Sequence, residues 1–322
     1  MIEPSSRPLF SARHRRGILV SLLLSAAIYL AVVFYIGYDD VAAVFSRTSV
    51  LFWVILLACS FSNYVIRFIR WLWYVKVFGY RLPTHLHFLY YLAGFALTTT
   101  PGKAGETIRS LLLRPHGVTY PISLACFFTE RFLDVVVIAL LASLTVFAFP
   151  DYRLFVVVMT ILVLLSIPLL RSSLFIRALH AMSRQITSPR LNRFIQHALT
   201  LIDSARRLLS WPKLFAGLGA GMLAWCIQGI AFYYLLLTLG LDISLAVAMG
   251  IYAISLLAGA VSFIPGGVGT TEVVMGLLIS LLGAEPAVAV SAPLISRLTT
   301  LWFAVGLGLL SATALGISRR QP

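Results

Sequence analysis

Two segments of this sequence carry the same unusual punctuation. Thr100 to Arg109 reads TPGKAGETIR and Ile264 to Val273 reads IPGGVGTTEV, so each sets a proline, then glycines, then a glutamate in a short run. Proline removes a backbone donor and ends a helix, and glycine reaches backbone angles and close approaches closed to other residues. A helix broken this way presents free N–H groups at the start of its second half, where the helix dipole also favours negative charge. The chemistry on offer at Pro101, Gly102 and Gly105, and at Pro265, Gly266, Gly267 and Gly269, is the binding of an anion. Glu106 and Glu272 are placed to cap N–H groups of the half-helices that follow. A tight turn with a capping glutamate and no ligand is the plainer alternative.

A second set of chemical residues lies in otherwise apolar surroundings. Glu130, Arg131 and Asp134 occur in the segment ERFLD, and Arg297 in SRLTT. Arg131 follows Pro101 by 30 positions and Arg297 follows Pro265 by 32. A charge placed in hydrocarbon costs on the order of 3 kcal/mol by insertion scales, so these groups need partners. On a helix, the i, i+3 and i, i+4 spacings put Glu130, Arg131 and Asp134 on one face. One arginine between two carboxylates leaves local negative charge, and Lys103, Arg109 and Arg297 are the candidate cations to balance it. Two readings stand side by side: an ion-pair network that ties helices together, and a groove whose network exchanges partners with a charged ligand.

The elements that must hold these residues follow from composition. Of 322 residues, 60% are hydrophobic and 11% charged, and the mean hydropathy is +0.96; a soluble domain does not carry that much apolar surface. Apolar runs of bilayer-crossing length occur at Gly17 to Gly37, Val50 to Arg67, Ile122 to Phe149, Leu154 to Leu170, Leu214 to Leu239 and Ala287 to Gly316. The first is read as an uncleaved helix, since no small-residue cleavage pattern closes it. Two more apolar pieces, Leu86 to Thr99 and Leu245 to Ile264, run into the Pro-Gly loops and re-emerge as short helices. The fold class expected is an all-α polytopic membrane bundle of six full spans plus two re-entrant or broken-helix hairpins.

The formal charge of +14 suggests nucleic acid only until its placement is considered. Basic residues fill alternate loops: Arg7, Arg13, Arg15 and Arg16; then Arg67, Arg70, Lys76 and Arg81; then the stretch from Arg171 through Arg207; then Arg319 and Arg320. The opposite loops hold Asp39 and Asp40, Asp151, Asp242 and Glu285. Positive loops stay cytoplasmic, which puts both termini on that side and removes nucleic acid as a partner. The connector between Arg171 and Trp211 sets Leu174, Ala178, Met182, Leu191, Phe194, Ile195, Leu199 and Ile202 at helical spacing among arginines, with Pro189 dividing two helices. Such a segment lies on an anionic leaflet or packs on the rest of the protein. Cys59, Cys126 and Cys226 lie far apart in apolar segments and read as packing residues. His85 and His87, at i, i+2, point to different sides of a helix and read as no metal site. No metal or cofactor is implied.

On this map the first hairpin leaves from and returns to the cytoplasmic side, between Arg81 and Arg114, and the second does the same on the outer side. Within a single membrane domain spanning 1–322, residues 50–149 form a first repeat, 171–212 a cytoplasmic amphipathic connector, and 213–316 a second repeat of opposite orientation. Dipping hairpins would bring both Pro-Gly loops to the bilayer middle; complete spans would leave them at the surfaces. Broken backbone at membrane depth is tolerated only where protein or a polar cavity surrounds it.

At TPGKAGE with Arg109 following, at ERFLD, and at PGGVGTTE, the chain resembles the flippase-like integral membrane domain that forms the transmembrane region of bacterial lysylphosphatidylglycerol synthases and also occurs as free-standing proteins. The resemblance runs from the first span to the last. It implies movement of a lipid with a polar, phosphate-bearing headgroup between leaflets of a bacterial inner (plasma) membrane, with lipid-synthesis enzymes as candidate partners. The chain ends at Pro322 without a soluble aminoacyl-transfer domain, so lysine transfer is not expected and the identity of the lipid is not inherited. The headgroup phosphate would be held by Lys103, Arg109, Arg131 or Arg297 and by the loop N–H groups, with Glu106, Glu130, Asp134 and Glu272 beside them. No phosphate-binding G-x-x-x-x-G-K-[ST] loop is present, which argues against direct use of ATP; coupling to protons through Glu106, Glu130 or Glu272 and downhill movement both remain open. Two rivals are a membrane transferase acting on a lipid phosphate, for which Glu130 and Asp134 are on offer without a nearby histidine, and a scaffold subunit of an envelope-lipid synthesis complex.

Overall fold

The computed structural model describes residues 48–174, 177–178, 181 and 189–318. The first expected span, the charged residues before it, Asp39, Asp40, Met182, Arg319 and Arg320 lie outside the described residues.

The described chain is an all-α polytopic membrane bundle. Helices are numbered from the first one described. Helix α1 runs Val50–Val77 and α2 Thr84–Phe95; a 3₁₀ turn, Pro101–Thr107, leads into the short α3, Ile108–Leu113. Then come α4, Tyr120–Ala142, and α5, Arg153–Arg171. After the connector helix α6, Pro189–Leu208, follow α7, Trp211–Thr238, α8, Leu245–Val261, a 3₁₀ turn at Pro265–Gly267, and α9, Thr270–Leu281. Helix α10, Pro286–Arg297, passes through a π-helical stretch, Leu298–Trp302, into α11, Phe303–Ser318.

Four of these segments are long and apolar enough to cross a bilayer: Val50–Val77, Pro150–Arg171, Trp211–Thr238 and Pro286–Gly316. The expected span at Ile122 to Phe149 is the 23-residue α4, about 35 Å at 1.5 Å per residue, which reaches the needed length but holds Glu130, Arg131 and Asp134 within it. Helix α5 turns its apolar side chains outward, with Val156 its single buried residue. A helix apolar all round and left uncovered by protein is one surrounded by lipid.

Local sequence signals set the element ends. Ser49 and Ser244 accept the Phe52 and Val247 N–H groups at the starts of α1 and α8, as N-cap serines do. Glycines at φ near +85° stop the chain after α1, α7 and α9 at Gly79, Gly240 and Gly283, angles that glycine reaches without steric cost.

Packing follows a reciprocal pattern. Helices α1 and α7, each of 28 residues, lie against one another, and Gly217 and Gly221 of α7 leave the space that Tyr74 and Arg70 of α1 fill. Helix α2 packs on α11, and α8 on α4. Helix α1 also meets α4, as α7 meets α10; α3 lies on α4, as α9 lies on α10. The connector helix α6 packs along α4 with Leu199 and Leu208 buried, while Arg206 donates to the Arg171 carbonyl at 2.8 Å. Within the described part of the connector, α6 is thus held against the protein.

One sequence expectation needs correcting. Arg67 and Arg70 read as cytoplasmic loop residues closing the span at Val50 to Arg67, but α1 continues to Val77 and both arginines are buried, 4% and 2% exposed. The physical reason lies on another helix: carboxylates of α4 face this turn of α1 and supply the charge partners that let arginine leave water.

Candidate functional site

The two Pro-Gly loops meet. The 3₁₀ turn at Pro101–Thr107 packs against the one at Pro265–Gly267, and a Cβ on Gly266 would lie 3.5 Å from the Thr99 Cα. Thr98 and Thr99 are buried. The Gly105 N–H donates to Thr100 Oγ1 at 2.6 Å, which closes the first loop on itself. Gly266, Gly267 and Gly269 all take positive φ, and the Gly267 Cα packs against the Gly259 backbone of α8. A side chain at either contact would push the loop out of register.

Beneath the first loop sits a network of seven charged side chains. Glu130 and Asp134, one turn apart on α4, face Arg67 and Arg70, nearly one turn apart on α1. Arg70 Nη2 donates to Asp134 Oδ1 at 2.6 Å and lies 3.6 Å from Glu130. Arg67 lies 3.5 Å from Glu130 and 3.6 Å from Asp134. Arg131 folds back along its own helix to 2.8 Å from Glu130 and 3.2 Å from Asp134. Arg109 links the hairpin to α4, donating to Glu106 at 2.6 Å and to Glu130 at 3.4 Å. Glu130, fully buried, therefore has four arginines around it, and Tyr91 donates a further hydrogen bond to it at 2.7 Å.

Aromatic rings complete the lining. The Arg109 guanidinium stands 4.0 Å from the Tyr91 ring centroid, and a Cβ on Gly94 would fall 2.5 Å from its Nε, so the absent side chain of Gly94 is the space Arg109 occupies. Arg67 lies over Trp225 at 5.7 Å and Phe95 at 5.9 Å. Such cation–π contacts strengthen as water is excluded.

The second loop has a simpler arrangement. Arg297 Nε donates to Glu272 Oε1 at 2.9 Å, and its Nη2 donates to the Gly266 carbonyl. Glu272 Oε2 receives the Gly269 N–H at 2.7 Å, the reciprocal half of a capping box. Glu106 differs from its counterpart: its carboxylate accepts from the side chains of Thr98, at 2.8 Å, and Arg109. Just beyond Arg297 the π-helical stretch leaves the Thr300 carbonyl to accept the Tyr64 hydroxyl of α1; π-bulges free backbone groups in this way.

A cavity of about 210 Å³ opens between the halves, lined by Thr100 and Lys103 of the first loop, Arg131 and Asp134 of α4, Gly266 and Gly267 of the second loop, and Arg297. A smaller one of about 70 Å³ adjoins it through Lys103, Trp225 and Arg297 and reaches Arg67 and Glu106. Among the described residues no group of three His, Cys, Asp or Glu side chains is gathered for a metal. His85 is exposed and His87 buried, accepting from Trp71 Nε1 at 2.9 Å.

Of the residues singled out from sequence, Lys103, Arg131, Asp134, Gly266, Gly267 and Arg297 line the main cavity. Glu106 lines the smaller one; Arg109 and Glu130 stand behind, in the network, and Glu272 holds Arg297. Arg67, Arg70, Tyr91, Thr98 and Trp225 were missed. A signal for the first two exists: Asn63, Arg67, Arg70 and Tyr74 recur at helical spacing on one buried face of α1.

A family model described as the lysylphosphatidylglycerol synthase TM region matches residues 18–308. A UPF0104 membrane protein of Methanothermobacter thermautotrophicus is 22% identical over 330 residues, covering 95% of this chain and 97% of the relative. Another from Pyrococcus horikoshii is 23% identical over 327 residues, with 89% and 94% covered. The phosphatidylglycerol lysyltransferase of Bacillus subtilis is 27% identical over 99 residues, which are 31% of this chain and 12% of that protein.

Proposed function

From the premise that this chain belongs to the family of the lysylphosphatidylglycerol synthase transmembrane region, we propose that it carries a lipid with an anionic, phosphate-bearing headgroup between the leaflets of a prokaryotic plasma membrane. The observation that carries this reading is the contact of the two broken-helix tips beside a cavity lined by Lys103, Arg131 and Arg297, in a chain otherwise 60% hydrophobic. A headgroup crosses a bilayer slowly because its polar atoms lose water in the hydrocarbon. A cationic, hydrogen-bonding passage between two halves lowers that barrier while the lipid chains stay outside. The relatives share the scale of the domain: the Methanothermobacter protein is matched over 97% of its length. The Bacillus relative, by its name, acts on phosphatidylglycerol, a lipid with a phosphate headgroup.

The two halves work as inverted repeats in this reading, residues 50–149 and 213–316, with the connector 171–212 and both termini on the cytoplasmic side. Support comes from the packing: the contacts of α2 with α11, α1 with α4 and α3 with α4 have counterparts in those of α8 with α4, α7 with α10 and α9 with α10, and α1 meets α7. The ionic spacing also repeats: Glu106 to Arg131 and Glu272 to Arg297 are each 25 residues. Only the second pair is closed, because Arg131 is turned to Glu130 and Asp134 and Arg109 takes Glu106. Alternating access asks for such interchangeable partners.

The test is leaflet exchange. Full-length protein in liposomes with fluorescent phospholipids should make inner-leaflet label accessible to an external quencher, and Arg297→Ala should slow this about tenfold, the equivalent of 1.4 kcal/mol. Wild-type protein that gives neither exchange nor a new lipid product would point to a scaffold, and unchanged exchange in Arg297→Ala would remove Arg297 from the path. A new lipid product without exchange would point to a transferase.

A further inference from the structure

The charges around the cavity do not balance. Glu272 is matched by Arg297 at 2.9 Å and Glu106 by Arg109 at 2.6 Å. Glu130 and Asp134 then face Arg67, Arg70 and Arg131, one cation too many. Lys103 is a second: it lines both cavities, and its ammonium makes no hydrogen bond or ion pair among the described residues. Nε of Arg131 is a buried donor without a hydrogen-bond acceptor, and Nε and Nη2 of Arg67 reach Glu130 and Asp134 only at 3.5 and 3.6 Å, as ion pairs without a hydrogen bond.

The backbone at Lys103 points the same way. Its φ is +57°, and among the described residues only Phe263 is another non-glycine with positive φ. Counting from the proline, the corresponding position in the second loop is Gly267, at φ +65°. L-residues avoid this conformation and glycine does not. One loop thus uses the residue the backbone prefers, and the other keeps a lysine against that preference, the kind of local strain found at functional sites.

Two uncompensated cations at a low-dielectric cavity favour a ligand that brings two negative charges. A phosphodiester brings one. A phosphomonoester brings about 1.5 to 2 at pH 7 because its second pKa is about 6. The main cavity, about 210 Å³, admits a phosphate with a few waters, each taking roughly 30 Å³ in the liquid.

We propose that this cavity receives a phosphate carrying two negative charges, a phosphomonoester or a diphosphate, and that Lys103 is the cation that meets it. The inference rests on the cavity being the headgroup path and narrows what passes. The same chemistry could come from a lipid headgroup or from free inorganic phosphate.

The experiment separates these sources. Full-length protein is placed in phosphatidylcholine liposomes with trace phosphatidic acid, a phosphomonoester, or phosphatidylglycerol, a phosphodiester, each labelled on its acyl chain. Exchange is followed at a pH above the second pKa of phosphatidic acid, and the thermal midpoint is measured with and without inorganic phosphate. Phosphatidic acid is expected to exchange about tenfold faster than phosphatidylglycerol, the ratio one lost favourable contact commonly sets. Lys103→Gly should keep or raise the midpoint yet lose the preference. Lys103→Asn, a residue also tolerant of this backbone angle, should do the same, so a folding defect in one variant does not decide the matter. Equal exchange of both lipids overturns the inference and leaves translocation standing. A preference that survives both substitutions removes Lys103 from the role. No lipid exchange, with inorganic phosphate raising the midpoint of the wild type and not of the variants, assigns the site to free phosphate and overturns translocation. Neither exchange nor stabilisation overturns both.

Discussion

Glu130 shows how one residue can depend on many. It is fully buried, with arginines at 2.8, 3.4, 3.5 and 3.6 Å, and removing its charge leaves four buried arginines to share Asp134 and Glu106. Breaking a buried pair from one side costs about 3–5 kcal/mol. Glu130→Gln should therefore lower the thermal midpoint in detergent far more than Glu272→Gln, whose site is simpler and partly exposed. At Lys103 the expected outcome is a pH dependence that comes from the ligand. Phosphatidic acid loses its second charge as pH falls through its second phosphate pKa, so its exchange should slow toward the phosphatidylglycerol rate as the pH is lowered across that pKa, while phosphatidylglycerol exchange shows no step there.

Among the elements, the broken helices depend on small residues at contacts that leave no room for a Cβ. Gly94 of α2 borders the Arg109 side chain, and Gly276 of α9 lies against the Ala289 carbonyl, 2.6 Å from where a Cβ would sit. Overpacking a close contact costs typically about 1–3 kcal/mol. Gly94→Ala should fall in that range by thermal denaturation in detergent, and should also weaken exchange because Arg109 loses its seat between Glu106 and Glu130. Gly79→Ala, at an exposed left-handed stop with nothing near its Cβ position, should cost only the backbone preference, roughly 1 kcal/mol. The contrast separates space from conformation as the reason a glycine stands at each place.

For the whole molecule, the orientation of the two halves is the decisive property. If they are inverted, the loop before α2 and the loop before α8 face opposite sides of the membrane. In a chain with Cys59, Cys126 and Cys226 replaced, cysteine at His85 should react with an impermeant maleimide only in inside-out vesicles, and cysteine at Asp242 only in right-side-out ones; both positions are exposed. Labelling of both from one side would remove the inverted arrangement and with it the meeting of cytoplasmic and outer hairpins at mid-membrane. The bundle's outer surface asks for lipid whatever the outcome: Leu154, Phe155 and Leu310 are 76%, 60% and 68% exposed, and no aqueous surface carries such a belt.

Residue order alone sufficed for the membrane class, the all-helical architecture and the two breaks, because each follows from short-range chemistry: apolar length, missing proline donors, and glycine angles. It also marked Lys103, Glu130, Arg131, Asp134 and Arg297 as charges out of place, since hydropathy makes them conspicuous. Arg67 and Arg70 escaped because a basic residue near a helix end is read as a loop marker, and nothing local distinguishes that from an arginine drawn inward by carboxylates 60 or more positions away. The choice of partners was likewise beyond local reading: that Arg109 takes Glu106, that Arg131 turns to its own helix, and that Lys103 is left without a carboxylate. Ion pairing in a low-dielectric interior is set by which helices come within a few ångströms of each other, and that is a property of packing across the whole chain.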